Sequence, residues 1–278
     1  MNSNKQNELL ALLLLLILVL AALCIVAGVT LGIVKLAMPA NSAPPDTTES
    51  TTPADTSTSV KPQEVTLTQT TDAGMEYIDG MVFFGESTTA HLRARGVLTG
   101  GTQTKQVWAD ASNTQRLSSQ LLSNKIIYPP TGEDLTVAEA CQAAKPEILV
   151  LSFGHNGLES FIKDKSLYVN NYCKLISAVK KASPNTKIIL QTVYPICGTG
   201  NYSADLKTLN EYIDTLNTWL PEIAAKYENV RVADTASVLK NEKNQLIAEY
   251  NNDDKDGIHL TAVAYREILA YLRTHAWQ

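Results

Sequence analysis

An α/β fold with a parallel sheet covered on both faces by helices is predicted for residues 65–278 of this chain by two observations. Short runs rich in Val, Ile, Leu and Phe recur at Met81–Phe84, Glu147–Phe153, Lys187–Val193 and Val230–Ala233. They show little alternation, as strands buried on both faces require. Longer amphipathic segments lie between and after them, at Thr136–Ala144, Leu167–Ala182, Ala204–Tyr227 and Thr261–Ala276. Strand followed by helix, repeated, is the pattern of a parallel sheet with two helical layers. The first 64 residues differ in composition and divide into a short tail (1–8), an apolar anchor (9–38) and a polar linker (39–64).

The anchor is read from length. Leu9–Val34 runs about 26 residues without a charge, against roughly 20 needed to cross a bilayer. The apolar region of a cleaved signal peptide is only about 7–15 residues long, so a retained transmembrane helix is predicted. Lipidation at Cys24 is the rival reading, but Leu23 stands where a small residue is expected. Lys5 and the amino terminus face Lys35 across the span, with Glu8 offsetting the first group, so the charge rule leaves orientation open.

Pro39–Gln63 consists mainly of Ala, Ser, Thr, Pro and Asp and lacks the apolar surface needed to order itself. Such a linker reaches on the order of 28 Å as a coil and about 85 Å when stretched. That suits a domain outside the cytoplasm, tethered to its own membrane.

Charge and cysteine content exclude several classes. A net charge of −5 and a pI near 5.4 argue against a nucleic-acid partner. The doublet Lys180-Lys181 suits a helix C-terminus. Cys141, Cys173 and Cys197 are odd in number and lack metal spacing, so they read as small apolar residues rather than bridges or ligands. Asp253-Asp254 with Asp256 lacks the ligand pattern of a calcium loop and reads as a solvated turn. No phosphate loop or dinucleotide fingerprint occurs. No metal or cofactor is predicted.

Three short pieces carry chemistry: Gly85-Glu86-Ser87 after the first apolar run, Gly154-His155-Asn156 after the second, and Asp256-Gly257-Ile258-His259 near the C-terminus. A serine hydroxyl is a weak nucleophile until a histidine takes its proton, and a carboxylate fixes that histidine's tautomer. Ligands of open parallel sheets sit beyond the carboxyl ends of the strands, which places Ser87 and Asn156 on one rim. Asp256, three residues before His259 and with Gly257 between, can reach the imidazole Nδ1 and leave Nε2 directed at Ser87. Thr261 is positioned to cap the last helix. The Gly-x-Ser-x-Gly elbow of α/β-hydrolases is absent.

These blocks resemble those of the SGNH hydrolases, or GDSL family, over roughly residues 78–276. Gly85-Glu86-Ser87 matches the Gly-Asp-Ser block with Glu86 in place of Asp. Gly154-His155-Asn156 matches Gly-x-Asn-Asp with Gly157 replacing the final acid, and Asp256 and His259 match Asp-x-x-His. The resemblance implies a flavodoxin-like three-layer α/β/α sandwich and a serine esterase with a Ser87-His259-Asp256 triad. It implies oxyanion donors in the Ser87 N–H and the Asn156 amide. The glycine donor of the second block falls at Gly101, within Gly100-Gly101, or in the later loop at Ser112-Asn113.

Further assignments follow from position. His155, beside Asn156, and Tyr194, at the end of the third strand, are candidate substrate contacts, with Ile196–Tyr202 as a pocket wall. His91 and His275 are read as structural, Trp108 and Trp219 as core, and Glu86 as favouring the N-terminal end of the helix after Ser87. The expected substrate is an acylated carbohydrate, with O-acetyl esters of extracellular or cell-wall glycans first, either hydrolysed or transferred. A lipid-directed esterase and an inactive module binding wall polysaccharide are the alternatives.

Overall fold

The computed structural model describes residues 65–252 and 256–278. The short tail, the anchor and the whole of the linker lie outside these residues, as do Asp253 and Asp254. No described helix is long and apolar enough to cross a membrane.

The chain enters through helix α1 (Gly74–Asp79), strand β1 (Met81–Gly85) and helix α2 (Ser87–Ala94), then forms the two-residue strand β2 (Val107–Trp108). A small hairpin, β3 (Lys125–Ile127) and β4 (Asp134–Thr136), precedes helix α3 (Val137–Ala144). Strand β5 (Ile148–Ser152) leads into the short helix α4 (Leu158–Lys163) and the long helix α5 (Lys165–Ala182). Strand β6 (Lys187–Gln191), helix α6 (Leu206–Ala224), strand β7 (Val230–Ala233) and helix α7 (Ala262–Thr274) complete the order.

The main sheet is parallel throughout and ordered β2-β1-β5-β6-β7. Counted along the chain this is 2-1-3-4-5, the flavodoxin-like order, whose direction reverses between β1 and β5. Side chains alternate across the sheet. Phe84, Leu149, Leu151, Ile188 and Leu190 face a core shared with α3, α4, α5 and α6. Met81, Phe83, Ile148, Val150 and Ile189 face a second core with α1, α2 and α7. Helices therefore cover both faces, and the three-layer α/β arrangement is present.

Capping residues set the helix starts. Thr136 and Glu139 form a reciprocal capping box on α3, while Asp164, Asp205 and Thr261 accept first-turn N–H groups of α5, α6 and α7. Trp108 is 1% exposed. Trp219 packs at the edge of the first core, beneath Lys165. Among the described residues, Cys141, Cys173 and Cys197 are unbridged, with Cys141 buried.

Candidate active site

Ser87 is the first residue of α2, directly beyond β1, where the first-turn N–H groups of the helix have no partner within the helix. The turn requires glycine at position 85. A Cβ there would lie 2.2 Å from Thr89 Oγ1 and 2.3 Å from the Ser152 carbonyl oxygen on neighbouring β5. Close packing of the two strand ends brings the β1 and β5 exits side by side at the switch point.

Ser87 Oγ lies 2.8 Å from His259 Nε2. His259 Nδ1 lies 2.5 Å from Asp256 Oδ2. An ionised carboxylate only accepts, so the shared proton belongs to Nδ1, and Nε2 is left to accept from the serine. Asp256 Oδ1 also accepts the backbone N–H groups of Ile258 and His259, each at 2.8 Å. Burial works against the Asp256 charge, but these donors and the imidazole outweigh it and hold the carboxyl below its ordinary pKa.

The loop carrying the base is fixed from two sides. Gly257 adopts φ +82°, and a Cβ there would lie 2.2 Å from the Gly198 nitrogen, so only glycine allows the loop after β6 to approach. Cys197 N–H donates to the Gly257 carbonyl at 2.8 Å. From α2, the Arg95 guanidinium donates to the Leu260 carbonyl, and the His91 ring packs at 4.3 Å between centroids against His259.

Glu86 does more than favour a helix terminus. It is 1% exposed, and its carboxylate accepts the backbone N–H groups of Gly154 and Asn156 through Oε1 and of His155 through Oε2, at 3.0–3.1 Å. Burial pushes its pKa up to about 7, against the lowering effects of these N–H groups and of the Arg116 charge. The longer arm of glutamate thus spans from the turn after β1 to the turn after β5.

Asn156 sits beside Ser87 at the cavity, and its amide Nδ2 donates to the Gln115 carbonyl at 3.2 Å. The second hydrogen of that NH₂ group is not used by this bond. His155 is 6% exposed, and neither ring nitrogen has a hydrogen-bond partner. Burial, reinforced by His259, lowers its pKa to about 4 and keeps the ring neutral at ordinary pH.

Two expected site residues are corrected. The Gly101 N–H already donates to the Leu98 carbonyl at 2.9 Å within a short 3₁₀ turn, and the residue does not line the cavity. The loop that does reach the cavity follows β2 and carries Asn113 at φ +55°, a left-handed conformation more often given to glycine. Tyr194 is 3% exposed and belongs to the core beneath α7, where its hydroxyl accepts from Gln191 Nε2 at 2.5 Å. Of the segment expected as a pocket wall, Ile196–Tyr202, Asn201 and Tyr202 line the cavity, and the Tyr202 hydroxyl donates to the His155 carbonyl.

The cavity in front of Ser87 has a volume of about 440 Å³, and Thr114, Arg116, Gly157 and Ile258 complete its lining. Thr114 and Arg116 were not anticipated. Strand β2 is too short to show an apolar run, so nothing marked the loop after it as a strand exit. Among the described residues, no group of three or more His, Cys, Asp or Glu side chains is placed to hold a metal ion.

Residues 83–267 match the model of the GDSL-like lipase/acylhydrolase family. The chain belongs to this family. A GDSL-like hydrolase of this kind is a serine ester hydrolase, and the match extends from β1 into α7. No curated protein matches the chain.

Among solved structures, this GDSL-like hydrolase is similar to a GDSL-like lipase from Bacteroides thetaiotaomicron. The identity is 18% over 69% of this chain and 85% of that one, with a TM-score of 0.46. A family 3 carbohydrate esterase from Talaromyces cellulolyticus gives 15% identity over 69% and 93%, with a TM-score of 0.45. The periplasmic domain of a lipopolysaccharide acetyltransferase from Salmonella ser. Paratyphi A gives 15% over 69% and 82%, with a TM-score of 0.43.

Proposed function

We propose that Ser87 is the nucleophile of an esterase acting on short acyl esters of carbohydrate, with His259 as general base and Asp256 as its orienting acid. Ser87 Oγ attacks the ester carbonyl while its proton passes to His259 Nε2. The resulting imidazolium, steadied by Asp256, then protonates the departing alcohol oxygen as the C–O bond breaks. Water, or a sugar hydroxyl in a transfer reaction, loses a proton to the same nitrogen and releases the acyl group from Ser87. The Ser87 N–H and the Asn156 amide hold the oxyanion, with a third donor from the loop after β2.

The observation that carries this reading is the continuous contact from Ser87 through His259 to Asp256. The lining supports a short acyl group on a polar alcohol, because Ile258 is its one aliphatic side chain beside polar Thr114, Arg116, Asn156, Asn201 and Tyr202. A long lipid chain would require an apolar channel. In this reading the apolar anchor and linker tether the domain outside the cytoplasm, next to wall glycans bearing O-acetyl esters.

Incubation with a fluorophosphonate, read by intact mass, tests the nucleophile, and acetylated glycans give an acyl-Ser87 adduct under the same readout. Ser87→Ala should lose both adducts and on the order of ten-thousandfold in turnover. A folded, unlabelled wild-type protein would sink the proposal in favour of a glycan-binding module.

A further inference from the structure

The cavity before Ser87 contains one cationic side chain, Arg116, on the loop that leaves β2. Among the described residues no carboxylate forms an ion pair with it. Glu86 feels its charge, but the Glu86 oxygens are occupied by three backbone N–H groups across the site.

Gly157 makes room for this guanidinium. A Cβ at 157 would lie 3.0 Å from Arg116 Nη2 and 3.1 Å from the Phe161 ring. A carboxylate at this position would stand against the guanidinium and cancel its charge. Glycine leaves the cation directed at the cavity. His155 lines the same space, but both of its ring nitrogens are buried away from it.

Building on the proposed role of Ser87, we infer that the alcohol part of the ester is an anionic sugar. Its carboxylate or phosphate pairs with Arg116. The guanidinium fork matches either oxyanion with two parallel N–H···O bonds. Arg116 is then a specificity residue that touches substrate without entering the bond changes at Ser87.

The test compares three acetylated sugars with the same acyl group, a neutral hexoside, its uronic acid and its phosphate, using the full-length chain. The expected kcat/KM for an anionic sugar is roughly tenfold above the neutral one, carried by KM. The preference should shrink as salt is raised. Arg116→Gln should bring the ratio near one, and Arg116→Lys should keep part of it. Any effect of Arg116 on Glu86 acts on all three substrates and cancels in the ratio.

A higher value for the uronic acid identifies a carboxylate ligand, and one for the phosphate a phosphate. A wild-type ratio near one, or one unchanged in Arg116→Gln, overturns the inference. Fluorophosphonate labelling runs alongside: labelled protein without preference overturns the inference alone, and unlabelled protein overturns both readings.

Discussion

Glu86 Oε2 accepts the backbone N–H of His155 at 3.0 Å, tying the turn that presents the serine to the turn that presents Asn156. With Gly154 and Asn156 bonded to Oε1, one internal side chain sets the spacing of two loops that lie 68–70 residues apart in the chain.

This carboxylate makes stability depend on pH. Its folded pKa, about 7, lies above the ordinary 4.5, so the folded state binds the proton more tightly and its contribution is fully present below pH 4.5. It is lost as pH rises through 7, at a cost on the order of 3 kcal/mol. The urea midpoint of the wild type should fall from pH 5 to pH 8 relative to that of Glu86→Gln. Parallel profiles for the two proteins would refute the assignment.

Asp256→Asn should cut kcat by on the order of ten-thousandfold. An amide NH₂ facing Nδ1 favours the tautomer with a proton on Nε2, which cannot accept from Ser87. The variant should still bind substrate. Steady-state kinetics showing a change in KM alone would contradict this role.

Asn156→Ala should lower kcat by about a hundredfold to a thousandfold, the usual cost of one oxyanion donor, while Ser87 continues to react with a fluorophosphonate. Part of the loss reflects release of the loop after β2, since the Asn156 amide also holds the Gln115 carbonyl. Wild-type turnover of a small acetyl ester would remove Asn156 from the site.

Gly257→Ala places a methyl group 2.2 Å from the Gly198 nitrogen at φ +82°, so one of the two loops must move. Turnover should collapse, and stability should fall by about 3 kcal/mol or more. An unchanged urea midpoint and unchanged activity would show that the two loops are not clamped.

Strands β1, β5, β6 and β7 were legible because each is a buried apolar run, and helices α3, α5, α6 and α7 because their amphipathic faces are long. β2, at two residues, and α1 and α4, at six each, are too brief for periodicity. In the β3-β4 hairpin, only β3 alternates, and each strand has just three residues.

Ser87 could be named from its block at a strand exit, and Asp256 with His259 from their three-residue spacing in a turn. Arg116 and the two corrected residues could not be placed this way. Whether Tyr194 enters the core or the cavity depends on how the chain turns after β6. Ser112-Asn113 was one of two places named for the second-block donor, and with Asn113 in a conformation usually marked by glycine nothing in the sequence favoured it over Gly100-Gly101.

Thr114, Arg116 and Asn201 stand exposed around the mouth of the cavity. Under the proposed function, a glycan polymer can present a pendant ester at such a mouth from the side, midway along its length, with neither end threaded through the protein. On that reading processing needs no free chain end, and the deacylated polymer keeps its full length.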